Sequence, residues 1–161
     1  MRIACIAFVL AACGGDDGGT GVPGDDAGAD APASSTPYSF CVDETNRLRA
    51  GKGKAAVAHS QQLQDYANTG AMIDFNGSPH QHFSSTSGGG IAFAENECPK
   101  WSLSQQGGGD MTNLVKACIA AFYSEGPGGG HYDNMMGNYA KLGCGIYENG
   151  GRVTIIQDFG R

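Results

Sequence analysis

The sequence predicts an α+β domain over residues 38–161, and three observations support this prediction. Apolar residues with helical spacing dominate its first part, two strand patterns close it, and the turn residues Glu148-Asn149-Gly150-Gly151 separate those strands. Helices segregated from an antiparallel sheet are typical of layered α+β domains. A segment of this length is also long enough to bury a core of its own.

The first two helices are predicted from capping residues and apolar periodicity. A short helix is expected over residues 41–50. Ser60 is a suitable N-cap for the next helix, because its hydroxyl can accept a hydrogen bond from a backbone N–H in the first turn. After it, Leu63, Ala67 and Ala71 recur with the spacing of one helical face. We therefore expect this face to pack inward.

The third helix is expected to begin after Asp110 and to end before Gly126-Pro127. Its apolar side carries Leu114, Cys118 and Phe122, and Glu125 falls on the same side because of its spacing from them. A carboxylate in such a position needs hydrogen-bond donors or a cation, since burying it unpaired costs several kcal/mol. Glu125 is therefore a candidate functional residue.

Two strands are predicted over residues 142–147 and 152–159. The intervening Asn149-Gly150 pair tolerates the positive φ angles that tight hairpin turns require. The segment is thus expected to end in a β-hairpin.

The N-terminus resembles the export signal of a bacterial lipoprotein. Arg2 precedes an apolar stretch over residues 3–12, which is too short to span a membrane at about 1.5 Å per residue. The stretch closes on Leu10-Ala11-Ala12-Cys13, which resembles the lipobox that lipoprotein signal peptidase reads. We expect residues 1–12 to be a cleaved signal peptide. Cys13 would then be the lipidated first residue and would attach the protein to a membrane.

Residues 13–37 are predicted to be a disordered linker after that cysteine, since Gly, Asp, Ala and Pro dominate and aromatic residues are absent. The linker holds most of the net charge of −6, because residues 38–161 carry nine Lys/Arg against eleven Asp/Glu. No basic patch indicates a nucleic-acid partner.

Four cysteines remain in the predicted domain: Cys41, Cys98, Cys118 and Cys144. An even number in an exported domain indicates two disulfides, for which the sequence alone allows three connectivities. Zinc binding by these thiolates is the alternative, but no pair has the close spacing of a structural zinc site.

Motifs of several enzyme classes are absent from the sequence. It contains no H-E-x-x-H helix and no G-x-S-x-G elbow, and its glycine clusters lack the Gly-Lys-Ser/Thr ending of a phosphate loop. The polar residues left without an obvious structural role are His80, His82, Glu95, Glu97, Glu125 and His131. Imidazole and carboxylate groups both suit zinc, although such groups also form buried hydrogen-bonded clusters.

Several motifs resemble those of the CAP superfamily, which comprises cysteine-rich secretory proteins, venom allergens and pathogenesis-related plant proteins and is also called SCP or SCP/TAPS. The motifs are Asn46-Arg47-Leu48-Arg49, Ala58-His59-Ser60, Ala94-Glu95-Asn96, Phe122-Tyr123-Ser124-Glu125, Gly130-His131-Tyr132-Asp133-Asn134-Met135-Met136, Leu142-Gly143-Cys144-Gly145 and residues 153–159. Their order covers roughly residues 41–159.

The resemblance implies a three-layer α-β-α sandwich with a central antiparallel sheet and a cleft that holds two His and two Glu. Transferred to this sequence, the cleft tetrad is His82, Glu95, Glu125 and His131, with His80 as the alternative first histidine. His82 and His131 are the expected ligands of Zn²⁺ or another divalent metal. Glu97 is expected to be a solvated surface charge on the side of the strand opposite Glu95.

The sequence departs from the family pattern in three places. Ala94 replaces the usual glycine, Phe122 replaces a tryptophan, and only residues 126–130 separate Glu125 from His131.

The resemblance implies an envelope-anchored binding module for a lipid, sterol-like or protein ligand, with no catalytic residue assigned. Alternatives are a domain that uses zinc for structure or regulation, and a metal-dependent hydrolase resembling a protease. Gly14 follows the lipidated cysteine where inner-membrane retention signals usually have Asp, which favours the outer membrane or outer surface. Cys98 and Cys118 bracket a glycine-rich segment, so we predict that they pair and that Cys41 pairs with Cys144.

Overall fold

The computed structural model describes residues 35–161 of the chain. The predicted signal peptide, Cys13 and nearly all of the predicted linker lie outside these residues. Among the helices of the described part, none has the length and apolar character needed to cross a membrane.

The described residues contain six α-helices, one 3₁₀ segment and four strands. In chain order they are α1 (Pro37–Ala50), β1 (Ala58–His59), α2 (Gln61–Asn76), α3 (Gln81–Thr86), a 3₁₀ segment (Ser87–Gly90), β2 (Ala94–Ser102), α4 (Leu103–Gly107), α5 (Met111–Ser124), α6 (Gly130–Met136), β3 (Lys141–Asn149) and β4 (Arg152–Gly160). The three predicted helices and the closing hairpin are all present.

The two predicted helix caps are formed. The Ser60 hydroxyl accepts a hydrogen bond from the N–H of Leu63 at 3.4 Å, and Asp110 accepts one from the N–H of Asn113 at 2.8 Å. Helix α5 ends at Ser124, so Glu125 occupies its C-cap position. The cap residues thus fix where α2 and α5 begin.

The strands form one sheet in the order β1-β3-β4-β2. Strands β3 and β4 form the antiparallel hairpin, and β2 runs antiparallel to β4, with Glu95 opposite Asp158. The two-residue strand β1 is the parallel exception to the predicted antiparallel sheet. Because β2 is the last strand in this order, one of its edges is unpaired.

Helices cover both faces of the sheet, as expected for a three-layer sandwich. Alternate residues of β4 face opposite layers. Val153, Ile155 and Phe159 join the main apolar core with helices α1, α5 and α6. Ile156 packs instead with Ala67 and Ala71 of α2.

Two disulfides lie on the α1–α5 face. Cys41 of α1 is bonded to Cys144 of β3, and Cys98 of β2 is bonded to Cys118 of α5. All four residues are at most 2 % exposed. The predicted connectivity is confirmed, and each bond ties a helix of this layer to a strand of the sheet.

Helix α2 lies unusually close to the other face. A Cβ added to Gly145 would lie 2.1 Å from the backbone of Ala67, and one added to Gly143 would lie 2.2 Å from the backbone at Leu63. Glycine at these two positions of β3 therefore permits the close approach.

Candidate functional site

The candidate site lies along β2, the edge strand. Glu95 faces Asp158 across the β2–β4 pairing, on the α2 side of the sheet. The neighbouring Asn96 points to the α1–α5 side, because successive residues of a strand face opposite ways. Side chains from both helical layers meet at this edge.

His80 forms the first half of the site. It lies between α2 and α3 with a left-handed backbone (φ 59°), which few residues other than glycine adopt. Its Nδ1 is 2.8 Å from Oε1 of Glu95, and its backbone N–H donates to Oε2 of Glu97 at 2.7 Å. The His80 side chain is 41 % exposed, whereas the side chains of Glu95 and Glu97 are 1 % and 0 % exposed. The histidine therefore connects buried carboxylates to solvent.

Glu125 and His131 form the second half. One oxygen of Glu125 is hydrogen-bonded to Nδ1 of His131, and the other accepts the backbone N–H of His131 at 3.0 Å. The His131 ring packs 4.8 Å from the ring of Phe122, between ring centres. The short 126–130 connection thus folds α6 directly against the end of α5.

The ring centres of His80 and His131 are 6.5 Å apart. The structure therefore brings together two His–Glu pairs, one from each helical layer. We call this arrangement the cleft, formed by His80, Glu95, Glu125 and His131.

A buried amide network fixes the second half to the sheet. The Asn96 amide donates to the carbonyl of His131 at 3.0 Å and to Oε1 of Gln157 at 3.1 Å. Asn134 donates to Oδ1 of Asn96 at 3.0 Å, and Gln157 donates to the Thr45 hydroxyl at 2.8 Å. The sequence assigned no role to Asn134 or Gln157; the only signal was the place of Asn134 in the His131 motif.

The structure places His80, the alternative first histidine, rather than His82 beside Glu95. The ring of His82 packs 4.6 Å from that of Tyr66, and the backbone N–H of His82 donates to Asp74 at 2.8 Å. His80, the alternative, is the residue that is hydrogen-bonded to Glu95. His80 and His82 are two positions apart in the sequence. The left-handed backbone occurs at His80 itself rather than at a glycine, so no sequence pattern predicts which of the two rings reaches Glu95.

The expectation that Glu97 lies on the surface is wrong. Glu97 is 4 % exposed and accepts the backbone N–H of His80. Residues two apart in a strand share a face, so Glu97 belongs on the same side as Glu95. Helices α2 and α3 cover that side.

Four carboxyl groups are buried together on the α2 side: Asp74, Glu95, Glu97 and Asp158. We call them the acid cluster. Each has at least one oxygen without a hydrogen-bond partner, and both oxygens of Asp158 lack one. Burial raises the pKa of all four groups, that of Glu97 to about 7 and that of Asp158 to about 9. Glu97 and Asp158 therefore keep protons near neutral pH.

The histidines differ from the acid cluster in their available chemistry. The hydrogen bond to Glu95 raises the pKa of His80, despite the opposing effect of burial. Where the partner glutamate is ionised it can only accept, so Nδ1 of the neutral imidazole then carries the proton and Nε2 keeps a lone pair. Each histidine can thus donate a nitrogen to a metal while a glutamate orients the ring, the usual arrangement around protein-bound metals.

No nucleophile accompanies the histidines among residues 35–161. The four cysteines in this range are all disulfide-bonded, and no serine or threonine hydroxyl is hydrogen-bonded to either ring. Acyl transfer through a Ser–His or Cys–His pair therefore has no support in this part of the chain.

Comparisons with known proteins show the family and the fold of the chain. The family model described as "CAP: Cysteine-rich secretory protein family" matches residues 42–159. An extracellular protein containing a SCP domain, from Bacillus anthracis str. Ames, has a similar solved structure, with a TM-score of 0.51 and 20 % sequence identity. That match covers 78 % of this chain and 40 % of the other, and it shows the fold alone. No curated protein matches the chain. The chain belongs to the CAP family of cysteine-rich secretory proteins.

Proposed function

We propose that the chain is an extracytoplasmic binding module, anchored in the cell envelope through Cys13, which binds its ligand in the cleft. The meeting of two His–Glu pairs from opposite layers at one strand edge is the observation that carries this proposal. His80 and His131 remain 41 % and 33 % exposed, so a ligand can reach both rings.

The cleft suits a ligand with an anionic or strongly polar group, such as a lipid headgroup or an acidic group of a protein. A neutral imidazole offers one donor and one acceptor, and a protonated imidazole offers two donors. A divalent cation also fits, because each histidine keeps an Nε2 lone pair while its glutamate holds Nδ1. Such a cation would supply Lewis-acid attraction for the ligand's anionic group.

Two observations support an extracytoplasmic location. The disulfides join buried cysteines, and such bonds form and persist in oxidising compartments. The similar Bacillus anthracis protein is described as extracellular. Anchoring at the outer membrane or outer surface rests on the sequence around Cys13.

The anchor is tested by Cys13→Ser. We expect the domain to leave the membrane fraction or to persist as an unprocessed precursor, measured by detergent partitioning and intact mass. A processed variant that partitions like the wild type would contradict lipidation.

Ligand binding is tested by native mass spectrometry of the protein purified from its own envelope. We expect a bound species on the wild type that is absent from His80→Gln/His131→Gln. His59→Gln is the matched control, because His59 is exposed and its ring contacts Gln64 outside the cleft. Equal occupancy in the wild type and the double variant would contradict the proposal, as would an empty wild type.

A metal-dependent hydrolase is the second candidate. Glu125 favours it, because this carboxylate is 35 % exposed beside His131 and could act as a base. Hydrolysis of a casein substrate should then require added Zn²⁺ and be lost in Glu125→Gln. Zinc-independent cleavage, or cleavage equal in Glu125→Gln, would contradict this candidate.

A further inference from the structure

We propose that Asn149, at the turn of the β3–β4 hairpin, is a site of spontaneous deamidation with water as the co-reactant. Asn149-Gly150 is one of two Asn-Gly sequences in the chain, and Asn76-Gly77 is the other. Glycine has no side chain to shield its backbone nitrogen, so this nitrogen can approach the preceding asparagine closely. The site does not depend on the proposed function, because Arg152, the hairpin partner of Asn149, is at the opposite end of β4 from Asp158.

The reaction begins at the backbone nitrogen of Gly150. This nitrogen gives its proton to water and attacks Cγ of Asn149. The N–Cγ bond forms, and the Cγ–Nδ2 bond breaks to release ammonia, which takes its third proton from water. A second water then opens the resulting succinimide ring at Cγ, which gives aspartate, or at the backbone carbonyl, which gives isoaspartate. The sum is asparagine and water to aspartate or isoaspartate and ammonia, so neither enzyme nor cofactor is required.

The hairpin leaves both reacting groups free. Asn149 and Gly150 are exposed, and no hydrogen bond among residues 35–161 engages the N–H of Gly150 or the side-chain amide of Asn149. The next residue differs, because the N–H of Gly151 donates to Glu148 at 2.8 Å and its carbonyl accepts the N–H of Leu103 at 2.9 Å. Attack by Gly150 therefore breaks no hydrogen bond of the attacking nitrogen.

The surroundings of the turn leave room for ring closure. Gly150 and Gly151 have φ angles of 60° and 75°, a combination that glycine adopts most readily. Nothing lies within 4 Å of a Cβ added at either position. Closing the succinimide ring requires rotation of the backbone at Asn149 and Gly150, and no neighbouring side chain blocks it.

Asn76-Gly77, at the end of α2, has the same two residues and is also exposed, but its reacting groups are engaged. The side-chain amide of Asn76 donates to the carbonyl of Met72 at 2.8 Å, and the N–H of Gly77 donates to the carbonyl of Asp74 at 3.2 Å. Both hydrogen bonds must break before the ring closes. The chain thus contains its own internal reference for the reactivity of Asn149.

The two products affect the hairpin differently. Aspartate at position 149 would stand opposite Arg152 in the strand pairing, and opposite charges in such a pair attract. Isoaspartate adds one carbon to the backbone directly before a two-residue turn, and the length of the turn fixes the strand register. The isoaspartate product would therefore separate the Asn149–Arg152 pair, whereas the aspartate product would leave it in place.

The test is incubation of the purified full chain at pH 8, followed by peptide mapping with mass spectrometry over time. Conversion replaces an amino group by a hydroxyl group, and chromatography separates the aspartate and isoaspartate peptides. We expect Asn149 to convert at least about tenfold faster than Asn76, because two hydrogen bonds restrain the latter. Asn149→Gln is the matched control. It keeps the amide but must close a ring one atom larger, so position 149 should stay unmodified.

The same incubation in urea separates the effect of the fold from that of the sequence. Without the hydrogen bonds of the folded protein, the two Asn-Gly sequences should convert at similar rates. Equal conversion of Asn149 and Asn76 in the folded protein would overturn the proposal. Faster conversion of Asn76, or conversion of Asn149 in urea alone, would overturn it as well.

Discussion

The two faces of the sheet use alternate residues of the same strands, yet they bury different chemistry. On the α1–α5 face, β4 contributes Val153, Ile155 and Phe159 to the apolar core. On the α2 face it contributes Ile156 and Asp158, and the helix above supplies the small residues Ala67 and Ala71. Large apolar side chains fill the α1–α5 face, whereas α2 lies close to the opposite face, which carries the acid cluster.

Buried polar groups on the two faces also differ in how well they are satisfied. Asn96, Gln157 and Thr45 of the α1–α5 face bond to one another or to the backbone. The carboxyl groups of the α2 face keep oxygens without partners. A buried polar group that is fully hydrogen-bonded adds to stability, whereas an unsatisfied one reduces it. The difference indicates that the polar groups of the α1–α5 face stabilise the fold, whereas the acid cluster of the α2 face opposes it.

The largest effect on the free energy of unfolding is expected on the α1–α5 face. Removing the Cys41–Cys144 bond with two alanines should lower the free energy of unfolding by about 4 to 5 kcal/mol, because it frees a loop with a sequence separation of 103. Removing Cys98–Cys118, with a separation of 20, should cost about 3 kcal/mol. Urea unfolding of both variants measures this order, and the reverse order would contradict the assignment by loop length.

The next largest effect on stability is expected on the α2 face. Gly145→Ala should destabilise the protein by about 3 kcal/mol, because its Cβ would lie 2.1 Å from the Ala67 backbone and push α2 away. Gly130→Ala is the control, since nothing lies within 4 Å of its added Cβ. Thermal unfolding that gives the two variants equal midpoints would show that α2 is free to move.

Much of this architecture was predictable from local sequence. Ser60 and Asp110 mark helix starts, and Asn149-Gly150 marks the hairpin, because capping and turn geometry depend on neighbouring residues. The cysteine pairing was also predictable, since Cys98 and Cys118 bracket a short segment. Glu125 and His131 were identified by motif, and the structure pairs them.

The first half of the site, around His80, was not predictable in the same way. The choice of His80 over His82 depends on a left-handed backbone that no glycine marks, held by Glu97 across 17 positions. The burial of Asp74 and Asp158 depends on how α2 and β4 pack, which the order of polar and apolar residues does not predict. These features arise from tertiary contacts.

A smaller effect of opposite sign is expected at Asp158. Asp158→Asn should raise the free energy of unfolding by about 1 to 3 kcal/mol at pH 8, because it replaces a buried carboxyl that has no partner. The gain should shrink toward pH 4, where the carboxyl of the unfolded chain is also protonated. Asp110→Asn is the matched control and should be nearly neutral, since asparagine also caps helices. Destabilisation by Asp158→Asn would contradict a carboxyl group that has no partner in the folded protein.

The central claim is that the acid cluster opposes folding. It is tested most directly by the free energy of urea unfolding of the metal-free protein between pH 5 and pH 9. Glu97 and Asp158 have pKa values raised to about 7 and about 9, so the folded protein holds protons that the unfolded chain releases above about pH 4. The raised pKa of His80 also makes stability fall as the pH rises. The lowered pKa of Glu125 stabilises the folded protein fully above about pH 4.5, so it adds no slope across this range. We predict that stability falls by about 3 kcal/mol per pH unit between pH 5 and pH 7 and by about 1 kcal/mol per pH unit above pH 7, and that Asp158→Asn flattens the slope. Stability that is constant or rises with pH would contradict the claim.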